Sequence, residues 1–170
     1  MVEIGVAEGA SAVALRDGMD SAGSLYLIDP YHLSRVRPLN FLRRTAPRTL
    51  SGKVGPNVYW IEQFSQQAAK EWKAPIDFLM IDVDHAEDAV QRDWEDWHPH
   101  VISGGVVVFH DARLFPSGWT SLGYRPVKFI NRVFRQSPLA GWKIIDEIDS
   151  LVFVHKDKHL PQNDAAEAGS

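Results

Sequence analysis

The sequence predicts an α/β fold built on a doubly wound, mostly parallel sheet whose last strand runs antiparallel. Short apolar or β-branched runs alternate with longer stretches of helical periodicity, which is the pattern of parallel strands joined by crossover helices. Near the end of the chain, two strand patterns are separated only by the polar turn DEIDS, and such a hairpin cannot join parallel neighbours. The strand-like runs are MVEIGV, SLYLID, NVYWIE, IDFLMIDVD and GGVVVFHD, followed by the hairpin WKIIDEIDSLVFVHK.

Length and composition indicate a single domain. The chain has 170 residues, of which 45% are hydrophobic, enough for one sizeable core. We expect this domain to span residues 1–156, and the polar, aperiodic segment 157–170 to be a disordered tail. The helix after Asp84 places Val90, Trp94, Trp97 and Val101 at helical spacing, so its tryptophans are expected to lie in the core. The segment YRPVKFINRVFRQ predicts a further helix.

Charge and cysteine content narrow the class of partner. A net charge of −4 offers no general attraction for nucleic acid or for anionic membranes, so a small molecule is the expected substrate. The chain has no cysteine, which excludes disulfides and thiolate zinc sites and fits a cytoplasmic location. Neither a basic leader nor a membrane-spanning apolar run is visible in the sequence.

The first strand ends in the turn EIGVAEGAS, which is typical of a ligand-binding loop. Gly5 and Gly9 would allow close approach of backbone to a ligand, and Ser11 is expected to cap the following helix. The spacing of the two glycines fits neither a dinucleotide fingerprint nor a phosphate-binding P-loop. A tight structural connection between strand and helix explains this turn about as well.

The second and third strand ends add a nucleoside interpretation. Asp29 lies about twenty residues past the turn, where a carboxylate can accept hydrogen bonds from both ribose hydroxyls. It could instead be an ordinary turn residue before Pro30. After the third strand, Gln63 and Phe64 stand where an adenine would lie, and Ser65 could cap the next helix.

Ionisable residues follow the fourth and fifth strands. They are Asp82, Asp84 and His85 after the fourth strand, and His110 and Asp111 after the fifth. Carboxylates that converge in one cleft repel each other unless a proton or a cation lies between them, so Mg²⁺ is a candidate ligand. Imidazole would also accept Mn²⁺, Fe²⁺ or Zn²⁺. Asp84 could instead cap the next helix, and His85 could only close the turn.

The segment 32–53 is basic in an otherwise acidic chain. It holds five arginines and one lysine, with no acidic residue. This local reversal of charge predicts either a site for an anionic partner or a solvated helix face followed by a loop.

These motifs together resemble the class I S-adenosylmethionine-dependent methyltransferases, and within them the small group related to macrocin, cephalosporin and sugar O-methyltransferases. The resemblance covers Met1 to about Lys156 and is carried by VEIGVAEGAS, LYLIDPY, the hairpin and the long run IDFLMIDVDHAEDAVQRDWEDWHPHVISGGVVVFHD. It implies a Rossmann-like seven-stranded sheet with the last strand antiparallel. It also implies that Glu3 and Gly5 lie near the methionine part of the cofactor and that Asp29 holds its ribose.

The sequence departs from this group in two places. Metal-dependent relatives hold their ion with a carboxylate that matches Asp82 and with an acidic pair after the fifth strand, where this chain has His110 and Asp111. Relatives also carry helices before the first strand, whereas this chain begins at the strand. A second subunit of a homo-oligomer could supply the missing wall.

The resulting hypothesis is an O-methyltransferase that uses S-adenosyl-L-methionine, with Mg²⁺ or another divalent cation as a candidate cofactor. The acceptor would be a hydroxyl of a sugar, natural product or catechol-like compound, and Asp82→Ala is expected to abolish turnover while largely preserving cofactor affinity. The alternatives are a non-catalytic cofactor-binding module and an NAD-linked sugar enzyme, which the missing third glycine disfavours.

The candidate catalytic residues are Asp82, His85 and His110. The candidate cofactor-binding residues are Glu3, Gly5, Gly9, Ser11, Asp29, Gln63, Phe64 and Asp82, and the candidate metal ligands are Asp82, His110 and Asp111.

Overall fold

A seven-stranded sheet in the order β3-β2-β1-β4-β5-β7-β6 organises the computed structural model, which describes residues 1–7, 9–30, 57–82, 87–115, 118 and 120–158. The pairs among β1 to β5 are parallel, whereas β7 pairs antiparallel with β5 and with β6. Both the seven-stranded α/β fold and the antiparallel last strand are therefore confirmed. The strands are β1 Val2–Ile4, β2 Ser24–Ile28, β3 Asn57–Ile61, β4 Ile76–Ile81, β5 Val101–Phe109, β6 Trp142–Ile148 and β7 Leu151–Lys156. The described helices are α1 Ala10–Gly18, α2 Ser65–Glu71, α3 Glu87–Trp97 and α4 Arg125–Ile130.

Alternation along the strands separates two apolar layers on the two faces of the sheet. On β2, Leu25 and Leu27 pack with Ala12 of α1, while Ile28 belongs to the larger layer on the opposite face. Because successive side chains of a strand point to opposite faces, both faces need a cover of helices. Helix α1 packs on one face, and α2, α3 and α4 contribute to the layer on the other.

The larger layer is built around aromatic side chains, as the sequence predicted for the tryptophans of α3. Trp97 is fully buried and Trp94 is 4% exposed. The ring of Trp94 packs edge-on against Phe134 and Trp142 at centroid distances of 5.2 and 4.7 Å. Trp97 donates its indole N–H to Ser65 Oγ at 2.8 Å. Ser65 is therefore not the helix cap that the sequence indicated, and the position before α2 is held by Phe64 without a side-chain cap.

Two element boundaries differ from the sequence prediction. Val101 does not extend α3, because a 3₁₀ turn over His98–His100 containing Pro99 follows Trp97, and Val101 begins β5. Val101 is apolar because it begins a buried strand. An apolar residue at this position also matches the helical spacing, and this led to the wrong prediction. The hairpin turn is shorter than predicted: Asp149, with φ 51°, and Ser150 form it, and the preceding DEI belongs to β6.

The helix predicted after Tyr124 is present in two parts. Helix α4 passes at Asn131 into a π-helical segment, Asn131–Gln136. Its Phe134 is buried in the same aromatic layer as Trp94. The wider π geometry therefore still delivers an apolar side chain to the core.

Several expectations fall outside the described residues. They concern Asp84, His85, the basic segment 32–53, and residues 159–170 of the predicted tail. Asp157, at the start of that tail, donates its N–H to the Gly141 carbonyl at 2.8 Å. This hydrogen bond joins Asp157 to the residue before β6, and the expected disorder of the tail stays a prediction. In the portion of the chain that can be described, no helix has both the length and the apolar character needed to span a bilayer.

Candidate active site

The candidate site lies at one edge of the sheet, where four parallel strands end. Gly5, Asp29, Asp82 and His110 each follow the last residue of their strand directly. Their backbone N–H groups continue the ladder, donating to carbonyls of the neighbouring strand at 2.9 to 3.2 Å. The sheet itself therefore fixes these four residues side by side. This is the edge at which open α/β sheets bind ligands.

The turn after β1 is compact and is braced by Asp29. Gly5 and Gly9 have φ of 82° and 84°, a region that favours glycine, and Ala7 shares it with φ 46°. Asp29 Oδ2 accepts hydrogen bonds from the N–H groups of Val6 at 3.0 Å and Ala7 at 3.2 Å. Asp29 thus joins the ends of β1 and β2 through its side chain, a role that the sequence did not reveal.

Glu3 is a fully buried carboxyl beside this turn. The Ser11 hydroxyl donates a hydrogen bond to Glu3 Oε1, while Oε2 is buried and has no hydrogen-bond partner among the described residues. Burial is the main cause that raises its pKa to about 7, and the charges of Asp82 and Asp29 act in the same direction against the Ser11 hydrogen bond. Ser11 is therefore not the helix cap expected from the sequence, because Gly9 occupies the cap position.

His110 and Asp82 form a pair on the other side of the site. Nδ1 of His110 lies 3.0 Å from Asp82 Oδ1 and 3.6 Å from Asp111 Oδ2. These are ion-pair contacts, since this buried nitrogen meets the geometry of a hydrogen bond with no described residue. Its contact with the Asp82 carboxylate raises the pKa of His110, and this effect exceeds the opposing effect of burial. Asp111 is buried and has φ 51°, an uncommon conformation for a residue with a side chain.

The ionisable side chains at this edge do not form a complete metal site within the described residues. Across the described ranges, no group of three or more His, Asp or Glu side chains is arranged to hold a metal ion. His110 Nδ1 instead contacts the Asp82 carboxylate, and an imidazole that keeps a proton on that nitrogen cannot bind a metal through it.

Gln63 and Phe64 lie at the end of β3, next to Asp29. The backbone N–H of Asp29 donates to the Ile61 carbonyl at 3.2 Å, and the backbone N–H of Gln63 donates to the same carbonyl at 2.9 Å. The ring of Phe64 is 39% exposed. These two residues therefore border the Asp29 side of the site, and His110 borders the opposite side. His85 lies outside the described residues.

A cavity of about 490 Å³ adjoins the site between α1 and the sheet. Its walls include Phe78, Met80, Val108, Leu151 and Phe153, and its polar lining consists of Ser11, His110, Asp149 and Ser150. Among these residues, only Ser11 and His110 were predicted from the sequence. Asp149 and Ser150 could have been found from the predicted antiparallel direction of the last strand. That direction returns the hairpin turn to the sheet edge at which His110 lies.

A doubly wound sheet with a glycine turn and carboxylates at the carboxyl ends of its strands is the architecture of a class of nucleoside-binding enzymes. Comparison with known families narrows the class: residues 2–112 match the model of a family described as a methyltransferase domain. The chain therefore belongs to this family of class I S-adenosylmethionine-dependent methyltransferases, which are enzymes.

Solved structures share the fold over most of their length. The O-methyltransferase TomG of Streptomyces achromogenes, involved in tomaymycin synthesis and solved with S-adenosylmethionine, matches with TM-score 0.66 and 16% identity over 92% of this chain and 72% of its own. An rRNA methylase of Streptococcus thermophilus matches with TM-score 0.61 and 13% identity over 92% and 85%. The N-methyltransferase NodS of Bradyrhizobium japonicum matches with TM-score 0.55 and 17% identity over 92% and 84%. These similarities show the fold, and the three proteins differ in acceptor.

Proposed function

We propose that this methyltransferase acts on the hydroxyl group of a small molecule, with His110 as the general base and Asp82 as its partner. The observation that carries the proposal is the position of the pair: Nδ1 of His110 is 3.0 Å from the Asp82 carboxylate, at the same sheet edge as the glycine turn. The negative charge of the carboxylate favours a proton on the nearby Nδ1, and Nε2 is then able to accept a proton.

A hydroxyl acceptor explains why such a base is present. An uncharged hydroxyl is a weak nucleophile and must lose its proton as it attacks, whereas a neutral amine attacks with a lone pair that is already available. S-adenosylmethionine, when bound, supplies an electrophilic methyl group on a sulfonium. The acceptor oxygen forms the new bond to that methyl carbon, the carbon–sulfur bond gives its electrons to sulfur, and the hydroxyl proton passes to His110 Nε2.

The opposite side of the site suits the cofactor. Asp29 stands beside the positive-φ turn, where a nucleoside can approach backbone closely. Glu3 offers a buried carboxyl oxygen that no other residue of the described ranges hydrogen-bonds, and the cationic amino group of the cofactor would supply a partner. On this proposal Glu3, Gly5 and Asp29 hold the cofactor, and Gly9, Ser11, Gln63 and Phe64 complete its surroundings.

A small molecule is the preferred acceptor because the net charge of −4 offers nucleic acid no general attraction, and the basic segment 32–53 is the local exception that the rRNA fragment in the assay tests. Nucleic acids bind mainly through neutralisation of phosphates by clustered Lys and Arg. A requirement for Mg²⁺ remains a prediction, and it is tested by measuring turnover after chelation and after addition of each divalent cation.

The test is a methyl-transfer assay with a matched pair of variants. Purified enzyme receives labelled S-adenosylmethionine and, in turn, a phenol, a sugar, a primary amine and an rRNA fragment. We expect methylation of a hydroxyl, and a loss of roughly 10² to 10⁴-fold in kcat for His110→Asn, with cofactor Kd nearly unchanged. His100→Asn is the control, because His100 immediately precedes β5 whereas His110 follows it.

Two results would contradict the proposal. One is transfer to the amine or the rRNA fragment with no transfer to any hydroxyl. The other is a hydroxyl reaction that His110→Asn slows no more than His100→Asn, because a base in contact with the acceptor cannot be removed without cost.

A further inference from the structure

A buried carboxyl group lies on α3, in the layer of helices that covers the sheet. Asp93 is only 1% exposed, and a buried carboxyl group costs free energy unless partners replace its lost hydration. Its Oδ1 is buried and has no hydrogen-bond partner among the described residues. Burial raises the pKa of Asp93 to about 6, while a hydrogen bond with Ser65 acts in the opposite direction. Asp93 is therefore a candidate for a role beyond packing.

Asp93 completes a chain of hydrogen bonds between α3 and the start of α2. Trp97 lies four residues after Asp93, on the same face of α3, and its indole N–H donates to Ser65 Oγ at 2.8 Å. The Ser65 hydroxyl has a proton of its own to donate, and its side-chain partner is the Asp93 carboxyl. Asp93 thereby orients the hydroxyl oxygen that Trp97 contacts.

Helix α2 depends on such contacts from outside. It has seven residues and no side-chain cap, and isolated helices shorter than about 12 residues are marginal in water. At its other end, the ring of Trp72 lies against the ring of Trp97 with a centroid distance of 5.3 Å. Trp97 therefore contacts both ends of α2, whereas Asp93 acts on the start of the helix through Ser65.

The residues just before Ser65 border the Asp29 side of the candidate site. The Ile61 carbonyl accepts the backbone N–H groups of both Asp29 and Gln63. The carbonyl of Phe64 then accepts the first backbone hydrogen bonds of α2. Phe64 is therefore held between two fixed points, the Ile61 carbonyl on the sheet side and the Ser65 hydroxyl on the helix side.

We infer that Asp93 is a positioning residue for the cofactor: through Ser65, it holds Phe64 beside the adenine of S-adenosylmethionine. This inference rests on the proposed function, which counts Phe64 among the surroundings of the cofactor. Asp93 acts through Ser65 and needs no contact with the cofactor or the acceptor. It extends the cofactor site to a helix that the sequence analysis assigned to the core.

The test compares two substitutions of Asp93. Asp93→Ala removes the acceptor of the Ser65 hydroxyl, whereas Asp93→Asn keeps an acceptor oxygen in a side chain of the same shape. Binding of S-adenosylhomocysteine is measured by calorimetry on protein that circular dichroism shows to be folded. We expect Kd to rise about five- to tenfold for Asp93→Ala and less than about twofold for Asp93→Asn. Asp96→Ala, at a half-buried carboxylate of the same helix, is the matched control and should leave Kd unchanged.

A second comparison distinguishes an effect on Phe64 from a general loss of stability. Phe64→Ala removes the ring that Asp93 is inferred to hold in place, and it should raise Kd by itself. In the Phe64→Ala background, Asp93→Ala should change Kd by less than about twofold, because the ring that it would displace is absent. A purely structural Asp93 would instead raise Kd by the same factor in both backgrounds.

The outcomes separate this inference from the proposed function. If Phe64→Ala raises Kd but Asp93→Ala does not, or does so equally in both backgrounds, the inference fails and the cofactor placement stands. If Phe64→Ala leaves Kd unchanged, the placement of the cofactor beside Phe64 fails and the inference fails with it.

Ser65→Ala keeps the inference testable if Asp93→Ala does not fold. It removes the same hydrogen bond from the other partner, and we expect a similar rise in Kd that Phe64→Ala again suppresses. Failure of both alanine variants to fold would show that the hydrogen bond is structural and would overturn the inference.

Discussion

Glu3 is buried, accepts a hydrogen bond from Ser11 and has one oxygen that pairs with nothing in the described part of the chain, so its protonation should be coupled to folding. Its pKa is raised from 4.5 to about 7, mainly by burial. The folded protein therefore binds this proton more tightly than the unfolded chain does. The stabilisation is complete below about pH 4.5 and is lost as the pH rises to about 7, a change on the order of 3 kcal/mol.

Glu3→Gln should flatten this dependence, because the amide cannot ionise. We expect urea unfolding of the ligand-free protein to show a smaller loss of stability between pH 5 and pH 7.5 in the variant than in the wild type. Asp93, with a pKa raised to about 6 by burial, contributes in the same sense to both proteins. Exposed Glu71→Gln is the control, and identical pH profiles for Glu3→Gln and Glu71→Gln would refute the assignment.

Asp82 should set the pH range in which His110 acts. Its contact is the first cause of the raised pKa of His110, so Asp82→Asn should lower that pKa. A base works in its neutral form, and the acid limb of kcat should accordingly move to lower pH while kcat itself falls by roughly 10²-fold. Cofactor affinity should stay within a factor of about three, as expected if the pair serves proton removal.

The matched control for this change is Asp77→Asn. Asp77 is exposed and lies near the start of β4, whereas Asp82 follows the end of the same strand. Loss of cofactor binding in Asp82→Asn, with the acid limb unmoved, would show that Asp82 serves the cofactor instead of His110.

At the scale of elements, the turn between β1 and α1 depends on left-handed backbone. Gly9 occupies the cap position of α1 with φ 84°, where a Cβ costs about 1–2 kcal/mol. We expect Gly9→Ala to lower the free energy of unfolding by that amount. Gly18→Ala at the other end of α1 should stabilise by about 0.5 kcal/mol, because an added Cβ there meets open space. Chemical denaturation of both variants measures this contrast, and equal effects would contradict it.

The secondary-structure elements also show which parts of the fold and the site could be predicted from the sequence alone. Strand ends were predictable because apolar runs stop where ionisable residues begin, and parallel topology then brings Asp29, Asp82 and His110 to one edge. The partners of polar side chains were not predictable. Ser11 and Ser65 both fit the pattern of a helix cap, yet they bond to Glu3 and Trp97, because buried groups distant in sequence compete for the same hydroxyl.

Similarly, the apolar cavity could not be read from periodicity. Phe78 and Met80 alternate with Leu79 and Ile81 in a strand that is apolar on both faces. A run of this kind does not tell how completely helices cover each face.

For the whole molecule, the fold predicts linkage between cofactor binding and stability. A ligand that binds only the folded state at 100 times its Kd adds about 2.7 kcal/mol. For a chain of this size we expect S-adenosylhomocysteine to raise Tm by about 5–10 °C. NAD⁺ is the control, because the turn lacks the glycine spacing for a pyrophosphate. A shift with NAD⁺ and none with S-adenosylhomocysteine would contradict the cofactor assignment.

The most direct test of the proposed site is a crystal structure of the complex with S-adenosylhomocysteine. We expect the ribose at Asp29, the amino acid portion beside Glu3, and the sulfur facing the mouth of the cavity near His110. That arrangement would place the transferred methyl group between the cofactor and the proposed base. A nucleoside bound away from Asp29, or a sulfur directed away from His110, would contradict the proposed mechanism.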